Sequence, residues 1–263
     1  MSADFDEKIK TERFWELDFV RGVSIFCMVI FHWIYQLYFV FEVIEINEKF
    51  FYYVPKLAAV FFILLGISLY IGVETKFYKN FKDVLIRSLM ILGLGMGITG
   101  ATLLAHTGFY IYFGVLHCHG VSTFLSYFFT KINKWLVLIS AVILISLDFF
   151  LHPGRSLSLY FLFNNYLPSH FGSTFDYFPL IPNFGYALLG IFLGKQFYTN
   201  GRRQFRIFNP NKYFLGLVNF FDYIGKKTLL IYIIHVPVLF LLNDLIIFSL
   251  KPECCINIFK FLK

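Results

Sequence analysis

The chain has 263 residues, 58% of them hydrophobic and 22% aromatic, with only 15% charged. That balance excludes a water-soluble domain of ordinary composition and points to a polytopic membrane protein. The formal net charge of +7 is accounted for by topology and lipid headgroups, so no nucleic-acid partner is expected.

Residues 1–16 are polar and mixed in charge, and no cleavable signal peptide is read there, because the apolar run that follows is too long for a signal core. Bilayer-crossing helices need about 20 mainly apolar residues. The uncharged runs give seven, at 17–41, 54–73, 85–104, 110–130, 135–151, 179–197 and 227–250. Between Ser88 and Thr130 the only titratable basic groups are three histidines, and 105–109 is the one plausible turn. The segment 156–167 is too short to cross and reads as an interfacial or re-entrant piece. In 213–225, apolar residues at 214, 217, 218, 221 and 224 fall on one face, as in a helix lying on the membrane surface.

Lysine and arginine accumulate on the cytoplasmic side of membrane proteins. With the N-terminus inside, that side carries 15 of them and the opposite side 5. The expected architecture is therefore an all-α membrane bundle of about seven helices, N-terminus cytoplasmic and C-terminus outside. A cytoplasmic segment 1–16 precedes one domain over 17–250, with an outer loop at 152–178 and a cytoplasmic loop at 198–226, and 251–263 form a tail. Cys27, Cys118 and the adjacent Cys254–Cys255 show no metal-ligand spacing, and no metal site is expected.

The first apolar stretch, "ELDFVRGVSIFCMVIFHWIYQL" (16–37), carries an aspartate, an arginine and a histidine. Asp18 and Arg21 are three apart and can pair on one helical face. His32 follows eleven residues later, about 1100° around the helix and within about 20° of the same face, at a rise of about 16 Å. Gln36 lies one turn beyond. An aligned polar stripe of this kind faces a cavity or other helices rather than lipid.

Three more histidines lie within spans. His117 and His119 are two apart and point about 160° from each other on a continuous helix, so at most one faces the same pocket as the other candidates. His235 precedes Pro237, which frees the carbonyl of Ile233. His106, His152 and His170 fall in outer loops. Imidazole in a span serves as a general base near its ordinary pKa or as an axial haem ligand. Both chemistries remain open on the residues alone, as does a small-solute transporter that binds and releases without reaction.

The segment "LDFVRGVSIFCMVIFH" (17–32) resembles the first span of the transmembrane acyltransferases, in which Asp is followed three residues on by Arg-Gly. "FFILLGISLYIG" (61–72) resembles the small-residue end of their second span. "FGVLHCHGVS" (113–122), "YFPLIPNFGYALLGIFLGK" (177–195) and "KTLLIYIIHVPVLF" (227–240) resemble one subgroup more closely. That subgroup comprises bacterial and archaeal relatives of the catalytic domain of heparan-alpha-glucosaminide N-acetyltransferase.

The resemblance implies transfer of an acetyl group from cytoplasmic acetyl-CoA to an acceptor on the far side of a cell membrane. That acceptor would be a glycan or lipid-linked sugar, O- or N-acetylated. Arg21, steadied by Asp18, would meet the donor, and His32 would take the acceptor's proton, with His235 as the second catalytic candidate. Gln36, His117, His119 and Asp176 would line the substrate pocket. Glucosamine-acetylating members have an asparagine at the position of His32 and a histidine in the following loop. Here 42–53 contains none, which points to His32 as the base. Membrane lipids and further copies of the chain complete the expected partners.

Overall fold

A computed structural model describes residues 13–47, 54–104, 110–150, 176–207 and 212–250. The turn at 105–109 with His106, the segment 156–167, His152, His170 and the tail at 251–263 lie outside the described residues. Among the described residues every regular element is helical: α1 (Trp15–Tyr35), α2 (Val54–Glu74), α3 (Phe81–Leu104), α4 (Val115–Phe129), α5 (Lys134–Phe150), α6 (Leu180–Phe197), α7 (Lys212–Lys226) and α8 (Thr228–Leu250). The fold is all-α, as the uncharged runs predict.

Four described helical stretches are long and apolar enough to cross a membrane: Trp15–Val40, Leu57–Glu74, Phe81–Leu104 and Thr228–Ile246. The other expected spans correspond to α4, α5 and α6, which have 15, 17 and 18 residues. At about 1.5 Å per residue, α4 extends only about 22 Å, less than the hydrocarbon core. It starts at Val115 rather than 110 because Gly114 is extended.

Contacts divide the chain into two compact units. One holds Phe62–Arg206, and the other combines Glu12–Phe61 with Ile207–Lys263. In the first unit α6 packs on α5 and α4, and α3 packs on α4. Its core is Phe62, Cys118, Val137, Ala141, Phe184, Ala187, Leu188 and Ile191. Helix backbones touch where side chains vanish. A Cβ on Gly66 would strike the carbonyl of Ala187, and one on Gly190 would strike the carbonyl of Ile63. Small residues at helix crossings permit such close approach in membranes.

In the second unit α1 packs on α7 and α8. A Cβ on Gly22 would collide with the Phe221 carbonyl, and one on Gly225 with the Asp18 carbonyl. Phe221 also meets Phe19 and Phe26 edge-on, with both ring centroids 5.7 Å away. The expected apolar face of α7 is therefore divided. Val218, Phe221 and Ile224 are partly buried, whereas Phe214 and Leu217 remain exposed together with Tyr213, Phe220 and Tyr223. An exposed aromatic face suits a helix at a lipid–water boundary.

Candidate functional site

The polar stripe of α1 is present as its spacing predicts. Near the start of the helix the Arg21 guanidinium donates to Asp18 Oδ1 at 2.5 Å. The Asp18 side chain is 6% exposed and that of Arg21 27%, so a buried carboxylate holds a cation that still reaches outward. The close packing of Gly22 and Gly225 brings the C-terminal end of α7 onto this turn. Lys226 pairs there with Asp222, and Lys227 leads directly into α8.

About three turns further along α1, the rings of His32 and His235 meet. Their centroids are 4.9 Å apart, edge to face. The two residues are separated by 203 positions in sequence, so the pairing is produced entirely by the packing of α8 on α1. His235 Nδ1 lies 2.6 Å from the Tyr232 carbonyl oxygen. A carbonyl can only accept, so Nδ1 carries the proton. Nε2 is left as the acceptor nitrogen, buried and without a hydrogen-bond partner among the described residues.

Gln36 stands one turn beyond His32 and opens a π-helical turn over Gln36–Val40. Turns of this kind recur at functional positions because they redirect side chains. The Gln36 amide is buried, donates from Nε2 to the Val236 carbonyl at 3.4 Å, and accepts from Asn243 Nδ2 at 3.0 Å. Asn243 Oδ1 in turn accepts from Trp33 Nε1 at 2.9 Å. Neither Asn243 nor Trp33 was expected from the pattern of α1. The available signal was the Asn243–Asp244 pair interrupting the apolar run that follows Pro237 in α8, since polar residues inside spans rarely lack a purpose.

His117, His119 and Asp176 belong to the other unit. The two histidines diverge as their spacing requires. His117 Nδ1 accepts the Gly114 amide at 3.2 Å, and its Nε2 lies 3.4 Å from Thr99 Oγ1. Thr99 itself donates to the Ile111 carbonyl at 2.5 Å, so its lone pair is turned towards the ring. Both nitrogens of His117 are thus occupied. His119 faces α2 and packs against Phe62, with ring centroids 4.6 Å apart. Asp176 Oδ2 accepts the Val115 amide at 3.1 Å. It supplies the α4 N-terminus with the carboxylate that Gly114 cannot provide.

Chemically, the second unit presents a guanidinium suited to phosphate or carbonyl oxygens and an imidazole with an accepting nitrogen suited to take a proton. A haem held by His32 and His235 would need the two rings on opposite sides of a macrocycle. Edge-to-face contact between them leaves no room for one.

No curated protein and no solved structure matches the chain. Residues 13–237 do match the family model described as "Heparan-alpha-glucosaminide N-acetyltransferase, catalytic". The matched region takes in the Asp18–Arg21 pair, the His32–His235 contact and the whole of the first unit's described helices. The chain belongs to the heparan-alpha-glucosaminide N-acetyltransferase catalytic-domain family, and so to the membrane acetyltransferases.

Proposed function

We propose that the protein is a multi-pass acetyltransferase of a cell membrane that takes acetyl groups from cytoplasmic acetyl-CoA and gives them to an extracytoplasmic sugar or glycan. The observation that carries this reading is the contact between His32 and His235. It joins the two catalytic candidates, each drawn from a different family-like motif, in one place.

The acceptor hydroxyl or amine attacks the thioester carbonyl, and its proton passes to an imidazole nitrogen. The carbonyl reforms as the C–S bond breaks, and the coenzyme A thiolate leaves and is reprotonated. His32 is the base, and the His235 ring, with Nε2 as its accepting nitrogen, packs against it and can share or relay the proton. Arg21, held by Asp18, meets the phosphates or pantetheine of the donor. Lys226 and Lys227, at the junction of α7 and α8 near this turn, add positive charge that favours an anionic donor. The excess of lysine and arginine on the same side of the sequence-derived topology supports an inward N-terminus.

The test is the thermal midpoint of detergent-purified protein with and without acetyl-CoA, beside Arg21→Ala. A ligand that binds only the folded state raises the midpoint. The expected result is a rise in the wild type that shrinks in the variant. No rise at saturating acetyl-CoA, in protein shown to be folded, would overturn the donor assignment.

A further inference from the structure

Asn243 is buried to 1% exposure in α8 and makes hydrogen bonds through both ends of its amide. Its Nδ2 donates to Gln36 Oε1 at 3.0 Å, and its Oδ1 accepts from Trp33 Nε1 at 2.9 Å. The Gln36 amide continues the chain to the Val236 carbonyl at 3.4 Å. The ends of this chain have specific addresses. Trp33 is the residue after His32, Gln36 lies one turn beyond it, and Val236 is the residue after His235. Three hydrogen bonds therefore tie α1 to α8 immediately beside the two rings that meet at 4.9 Å.

We infer that Asn243 is a positioning residue, the centre of an interhelical clamp with Gln36 and Trp33 that fixes the contact between His32 and His235. The inference rests on the acetyltransferase reading for its effect on turnover, but not for its effect on geometry. An amide is suited to the task. It donates and accepts simultaneously, so it satisfies two partners of opposite character, which neither an aspartate nor a leucine at this place can do. Without water to substitute, each partner left unpaired in a span favours a rearranged helix contact. Packed apolar surface alone would let α1 and α8 slide, because lipid solvates leucine as well as a neighbouring helix does. Gln36 keeps helical dihedrals and lies one turn beyond His32 on the same face of the helix, which turns its amide towards α8.

The test uses the full chain labelled with 13C,15N-histidine in lipid bilayers, read by solid-state NMR for the cross-peak between the His32 and His235 rings. Variants are Asn243→Leu, Gln36→Leu and the milder Trp33→Phe, which removes only an N–H donor from the clamp. The cross-peak is expected in the wild type, lost in Asn243→Leu and Gln36→Leu, and weakened in Trp33→Phe. Turnover of acetyl-CoA with glucosamine as the acceptor probe is expected to fall about ten- to a hundredfold in Asn243→Leu, as for a misplacement on the order of 1 Å, with the KM for acetyl-CoA unchanged. In a His32→Ala background the same substitution should cost no further turnover, whereas a merely structural role would cost as much as before.

A cross-peak of wild-type strength in Asn243→Leu and Gln36→Leu would overturn the clamp, as would its absence from the wild type. Where Asn243→Leu fails to fold, an unchanged cross-peak in Trp33→Phe and Gln36→Leu does the same. Loss of the cross-peak with turnover unchanged would leave the clamp standing and remove the histidine pair from acetyl transfer.

Discussion

His235 donates its Nδ1 proton to the carbonyl oxygen of Tyr232, 2.6 Å away, and so leaves Nε2 as the accepting nitrogen of a ring that packs edge to face on His32. A bond to the histidine's own helix thus decides which nitrogen is free. General bases contribute about 10²–10⁴-fold to rate. His32→Ala and His235→Ala are each expected to lower acetyl transfer within that range while retaining the melting shift with acetyl-CoA. On the proposed mechanism the two rings act as one group, so the double variant should be little slower than the worse single. Initial rates with radiolabelled acetyl-CoA check this, and full turnover in His32→Ala would remove it from the role of base.

The Asp18–Arg21 turn depends on a backbone contact rather than on charge alone. Alanine at Gly22 already places a Cβ against the Phe221 carbonyl, whereas a Cβ at Gly216 meets nothing within 4 Å. Overpacking of this kind costs about 1–3 kcal/mol. Gly22→Ala should lower the melting temperature, and Gly216→Ala should leave it unchanged or raise it slightly through a less flexible unfolded chain. Equal midpoints for the two variants would mean that α1 and α7 do not pack as described.

Much of this was legible in the sequence because its signals are periodic. The α1 stripe followed from the spacing of Asp18, Arg21, His32 and Gln36, and the divergence of His117 and His119 followed from a separation of two. Helix positions followed from uncharged runs, with α7 visible as an amphipathic segment between 213 and 225. Contacts across the chain were not legible. Nothing in the local pattern pairs His32 with His235, and nothing announces that Asp176 caps a helix beginning 61 residues earlier. Asn243 carries no local signal of its role, because its partners Gln36 and Trp33 lie more than 200 positions away. A polar residue in a span says that a partner exists without saying which. The start of α4 differs from the expected 110 for a related reason. Residues 110–114 are apolar enough to continue a span, but Gly114 is extended and Asp176 caps the first turn, so the helix begins at Val115.

His117 is engaged at both ring nitrogens. With Nδ1 accepting from Gly114 and Nε2 directed at Thr99, the ring has no nitrogen to spare. His117→Leu leaves the Gly114 amide without its acceptor, at a cost of about 1–3 kcal/mol. The expected outcome is a lower melting temperature with the KM for acetyl-CoA unchanged. A rise in that KM at unchanged stability would instead place His117 against the donor.

Lys195 provides the clearest test of how the first unit is held together. Its ammonium, near the C-terminal end of α6, donates to the Thr130 carbonyl at 2.6 Å and stands 5.2 Å from the centroid of the Tyr70 ring. Thr130 follows the last residue of α4, where the helix leaves its final carbonyls unpaired and its dipole is negative. A single cation therefore joins α6 to the end of α4 and to α2 through Tyr70. Lys195→Met keeps the length and apolar stem of the side chain but removes the charge, the hydrogen bond and the cation–π contact. The partly buried carbonyl would then be unsatisfied, at about 1–3 kcal/mol. Lys195→Arg keeps charge and donors, so it should recover most of the loss in thermal melting. If Lys195→Met melts like the wild type, water or lipid headgroups already satisfy Thr130, and the end of α4 is held by its packing on α6 alone.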